Sequence, residues 1–217
     1  MTVTPASVVP DRLRAMDWRS VLRMARLHAI SRRLPAGLAV IAVCAAGLRI
    51  ALFRSWDDYG ALQLPLVFET ASAAAIAVTT ASPFGEPERA AGWRLPALRL
   101  TAVLGLTATA VAALAAAGGS AHLAGGTLDV LRNVAGLTGL GLLCAAVLGG
   151  ALAWLAQMAY LLISLYALYT QWHGPALTTP WLWPARPPHD AGAALCAGLV
   201  FAAGLVIFAV RGARDAD

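Results

Sequence analysis

Three groups of side chains have types and spacings that could do chemistry in this sequence. Arg49 and Glu69 are single charges within long apolar runs. Glu86, Glu88, Arg89 and Arg94 cluster in "SPFGEPERAAGWRLPALR", residues 82–99. Arg12, Arg19, Arg23 and Arg26 recur near the N-terminus at helical spacing. The first pair can form an ion pair in a low-dielectric setting. The second group can grip a protein surface. The third can bind anionic headgroups or a cytosolic partner. A further trio, His173, His189 and Asp190, could hold a metal, but its spacing is unspecific and no metal site is assigned.

The elements that position these groups follow from composition. The chain is 59% hydrophobic and 12% charged, with a mean hydropathy of +0.71. Soluble domains carry about 25% charged residues. So few charges cannot cover a soluble surface, and the class is an all-α membrane protein. A helix crosses the hydrocarbon core with roughly 20 apolar residues. Six segments meet that length: about 34–53, 61–81, 98–118, 131–148, 151–170 and 191–210. Gly149 and Gly150 mark the hairpin between the fourth and fifth. Residues 1–33 form a cytoplasmic N-terminus and 211–217 a cytoplasmic tail. The N-terminal segment is too long and polar for the n-region of a cleavable signal.

Arginine sets the orientation, because cytoplasmic flanks collect positive charge. With the N-terminus inside, Arg12, Arg14, Arg19, Arg23, Arg26, Arg32, Arg33, Arg89, Arg94, Arg99, Arg211 and Arg214 all lie inside. Only Arg54, Arg132 and Arg186 then lie outside. Both termini are expected in the cytoplasm of a cell expressing the chain at its plasma or inner membrane. The outer segments "SWDDYG" and "TQWHGPALTTPWLWPARPPHD" carry Trp and Tyr suited to the headgroup level. The formal charge of +5 is absorbed by these flanks, so no nucleic-acid partner is expected.

Each group has a plain reading and a sharper one. At 100° per residue, Arg12, Arg19, Arg23 and Arg26 form one stripe of a basic amphipathic helix, with Trp18, Val21, Leu22, Ala25 and Ala29 opposite. It is either an interfacial anchor or also a docking site. Glu69 lies about eight residues into span two, roughly 12 Å deep. A mid-membrane charge costs about 2.5 kcal/mol or more. An Arg49–Glu69 pair would lower that cost. It would act either as a lock between spans one and two or on a substrate path. Pro65 can kink span two. Gln157 is expected to bond a neighbouring helix. Ala135 with Gly139, and Ala145 with Gly149, are small-residue pairs that permit close helix approach. The loop 82–99 is either a solvated connection or a short docking helix, capped by Ser82 and started by Glu86 and Glu88.

Motifs of other chemistries are missing from the sequence. There is no GxxxxGK[ST], HExxH or GxSxG. The histidines, 28, 122, 173 and 189, fall outside the spans or at their edges, which disfavours a haem within the bundle. Cys44, Cys144 and Cys196 sit in separate apolar runs and read as small packing residues. No catalytic residue and no cofactor is expected.

The arrangement resembles the membrane subunit of ABC-2-type exporters. The residues carrying the resemblance are a connecting helix at 10–31, the loop "SPFGEPERAAGWRLP" in the place of the family's coupling helix, and "TTPWLWP" in the place of its outer re-entrant element. "SPFGEPERAAGWRLPALRL" and "RNVAGLTGLGLL" also resemble stretches of actinobacterial integral membrane permease-like proteins. The resemblance implies a permease subunit working with a separate cytosolic ABC ATPase. Glu86, Glu88, Arg89 and Arg94 would lie in its coupling loop. It also implies a second permease copy or a paralogue. The apolar lining would suit lipids, hydrophobic peptides or drugs. A non-transporting anchor or assembly factor that recruits a cytosolic protein is the rival reading, and a small lipid-directed enzyme a third.

Overall fold

The computed structural model describes residues 34–54, 58–79, 95–119, 125–170 and 179–211. Long helices dominate it: α1 Leu34–Phe53, α2 Asp58–Thr79, α3 Leu95–Gly118, α4 Gly126–Leu148, α5 Leu155–Thr170 and α6 Ala191–Arg211. Short 3-10 turns occupy Gly150–Leu152 and Trp183–Ala185. No strand occurs among the described residues. Five helical segments are long and apolar enough to cross a membrane, and α2 adds a shorter apolar stretch, Gln63–Thr79. The chain is therefore a multi-pass, all-α membrane protein. Pro65 sits inside α2 without ending it.

Helix α4 is the hub. It packs against α2, α3, α5 and α6, and its contact with α6 is the most extensive in the fold. Its most apolar stretch is 67% buried, whereas that of α1 is 28% buried. Its central place among four helices accounts for the difference, and glycine lets α6 approach most closely. A Cβ at Gly139 would stand 2.6 Å from the carbonyl oxygen of Val200 and 2.6 Å from Phe201 Cα. A Cβ at Gly204 would stand 2.6 Å from the Gly139 carbonyl oxygen. Backbone meets backbone there, and close dispersion contacts around Gly139 and Gly204 follow.

The two small-residue pairs behave differently. Ala135 and Gly139 both face α6. Gly149 instead ends α4, at φ 94°, with its N–H donating to the Ala145 carbonyl at 3.1 Å. That left-handed φ suits glycine, and the chain turns there into α5.

Several hydroxyl side chains inside the bundle turn back onto their own helices. Thr70 donates to the Leu66 carbonyl at 2.7 Å, Thr107 to Val103 at 2.8 Å, and Ser164 to Tyr160 at 2.8 Å. Such bonds satisfy a hydroxyl without a partner helix. Gln157 differs: its amide donates across to the Leu137 carbonyl at 2.8 Å, tying α5 to α4 as the sequence led us to expect.

Candidate functional site

Apart from Gln157, the largest group of polar side chains that join elements lies where α4 and α6 begin and α5 ends. Asp129 and Arg132 are one helical turn apart on α4 and form an ion pair. Arg132 is 5% exposed. Its guanidinium also donates to the Pro187 carbonyl at 2.9 Å, to the Arg186 carbonyl at 3.4 Å and to the Asn133 side-chain oxygen at 3.4 Å. Asn133 in turn donates to the Glu69 carboxyl at 2.9 Å. A continuous chain of contacts thus runs from α2 through α4 to the segment before α6. Only arginine carries enough donors in a fixed fork to hold a carboxylate and two backbone carbonyls together.

That segment, residues 179–190, folds back among the helices. Leu182 is fully buried and Trp183 is 2% exposed. The Trp183 ring stacks on Tyr160 at 4.6 Å between centroids and fills the space opposite Gly136, where a Cβ would meet it at 2.7 Å. Tyr160 donates to the Trp181 carbonyl at 2.7 Å, closing the contact. Tyr160 is ten residues short of the α5 end at Thr170, roughly 15 Å at 1.5 Å per residue. Gly136 is ten residues inside α4, also roughly 15 Å. The tryptophan therefore sits well below the helix ends rather than at their rim.

A second ion pair finishes the segment. Arg186 binds Asp190 through its Nε at 2.6 Å. Asp190 also caps α6 by accepting the Ala193 N–H at 3.0 Å. That backbone bond, helped by Arg186, holds the Asp190 carboxyl below the usual carboxylate range. Beside it a cavity of about 440 Å³ opens between α4 and α6, lined by Leu131, Arg132, Ala135, His189, Asp190 and Ala194 among others.

The structure rearranges the expected site residues. Glu69 is buried, at 2% exposure, but its partner is Asn133 and not Arg49. The expected Arg49–Glu69 pair is not formed. Arg49 is exposed and lies over the Phe53 ring, 5.3 Å from its centroid. The reason is azimuth. α1 buries Gly37, Ile41, Cys44 and Leu48, and Arg49 follows that stripe by one residue, a rotation of about 100° away from it. Arg132, expected as an outer flank, is instead the centre of the site. A lone charge at the edge of the fourth span, 131–148, has the position of a flank. The signal available was Asp129-x2-Arg132-Asn133, polar residues at helical spacing in the first turns of a span. Glu86, Glu88, Arg89 and Arg94, and the stripe of Arg12, Arg19, Arg23 and Arg26, lie outside the described residues.

No family model matches this chain, and no curated protein or solved structure is similar to it.

Proposed function

We propose that this chain is the membrane-spanning permease subunit of an ATP-driven, ABC-2-like exporter. It works with a separate cytosolic ATPase and a second copy or a paralogue. Six spans place both termini in the cytoplasm and the segment 179–190 on the outer side of the cell membrane. The observation that carries this reading is that segment, wedged among α4, α5 and α6 through Leu182 and Trp183. A plug at the outer end suits a path opened only when helices move. The Arg132 network supplies a physical link for that movement. Residues 80–94 connect α2 to α3 in the sequence. A pull on them tilts α2, which carries Glu69, and Glu69 holds Asn133 beside the clamp on Pro187. Coupling through packed, discrete contacts of this kind is how small displacements reach a distant gate.

The test is co-purification of the tagged chain followed by mass spectrometry. An ABC ATPase is expected with the intact chain and is expected to be lost when Glu86, Glu88 and Arg89 are changed to alanine. Failure to recover an ATPase with the intact chain would overturn the reading. So would a partner insensitive to these changes but lost on substituting Arg12, Arg19, Arg23 and Arg26, which is the behaviour of an anchor.

A further inference from the structure

The cavity between α4 and α6 is built with a polarity gradient. Its lining runs from Leu128 to Ala135 on α4 and from Ala191 to Gly198 on α6. About seven residue steps along each helix give a groove roughly 10 Å long, at about 1.5 Å per step. Its polar groups, Arg132, His189 and Asp190, stand toward the helix starts. Below them the walls are Ala135, Ala194, Ala197 and Gly198, with Leu128 and Leu131 along the side. Both leucines are half exposed on an apolar helix, so the groove opens sideways rather than into the bundle.

The charges of the lining are already satisfied. Arg132 holds Asp129, and Asp190 holds Arg186 and the Ala193 N–H. His189 is the exception: it is exposed and has no partner among the described residues. Paired charges give the mouth little net charge, while His189 leaves one donor for an oxygen. A molecule matching this has one apolar chain and a headgroup bearing an acceptor oxygen. From these features we infer that the groove binds a phospholipid. One acyl chain lies along Ala135, Ala194 and Gly198, and the headgroup phosphodiester accepts an N–H from His189. The volume, about 440 Å³, lies in the range of pockets that hold small ligands. The inference stands whether or not the chain transports anything.

Glycine supplies a clean perturbation. A Cβ added at Gly198 meets nothing within 4 Å, so a larger side chain there fills the groove without displacing the fold. Gly105 on α3 is equally open and lies away from the groove, which makes it the control. The experiment is native mass spectrometry of the full chain purified in mild detergent, with its co-purified lipid. One phospholipid per chain is expected on the wild type and on Gly105→Phe. On Gly198→Phe and on Ala194→Phe the bound fraction is expected to fall by about tenfold or more, since even two displaced methylenes account for that ratio. Wild-type protein free of lipid would overturn the inference. So would equal retention by Gly198→Phe and Gly105→Phe.

Discussion

Replacing Arg132 by methionine is expected to unseat the segment before α6. Methionine keeps an unbranched stem as far as the position of the arginine Nε and removes every donor. The Pro187 and Arg186 carbonyls, the Asn133 oxygen and the Asp129 carboxylate all lose a partner. Removing one member of a buried ion pair costs about 3–5 kcal/mol. The Asp129 side chain is 24% exposed, so its stranded charge is partly solvated, and the cost falls near the lower end, about 3 kcal/mol. For a chain of this size that is a drop of roughly 6–12 °C in melting temperature. The assay is thermal unfolding of purified wild type, Arg132→Met, and the double variant Asp129→Leu with Arg132→Met, in one detergent. The double variant is expected to melt above the single one, because an apolar pair strands no charge. An Arg132→Met protein within about 2 °C of wild type, a shift worth under roughly 1 kcal/mol, would refute the reasoning. A double variant less stable than the single would refute it too.

Other outcomes follow from the same contacts. Gly139→Ala and Gly204→Ala push a methyl into opposing backbone and are expected to cost about 1–3 kcal/mol each. Gly105→Ala and Gly198→Ala meet open space and are expected to be neutral or to stabilise by up to about 1 kcal/mol. The same melting assay separates the two pairs. Glu69→Gln keeps an acceptor for Asn133, whereas Glu69→Leu leaves that amide unsatisfied, so the leucine variant is expected to be the less stable. Asp190 titrates below the usual carboxylate range in the folded chain, so its cap contributes stability above that range and loses it as the pH falls. The stability difference between wild type and Asp190→Asn is therefore expected at neutral pH and is expected to shrink in acid.

Much of the architecture was legible because the bilayer makes hydropathy decisive. The first helix ends at Phe53 and the last begins at Ala191, both where the apolar runs change. Gly149 was readable because a left-handed turn has few alternatives. Gln157 was readable because a lone amide in a span must find a carbonyl. The site was not legible in the same way. Glu69 and Arg49 are opposite charges in neighbouring spans, but that says nothing about which face each side chain occupies. The one-residue offset of Arg49 from Leu48 decides that, and it requires knowing which stripe packs. Arg132 was assigned by charge alone to a flank. Its role depends on carbonyls of residues 186 and 187, more than fifty positions away, which no local pattern announces.

The proposed function requires residues 80–94 and the segment 179–190 to lie on opposite sides of the membrane. Labelling in intact cells tests this directly, in a chain whose Cys44, Cys144 and Cys196 are replaced by alanine. A membrane-impermeant thiol reagent is expected to modify His189→Cys at once, and Glu86→Cys only after permeabilisation. Labelling of Glu86→Cys from outside would contradict the account.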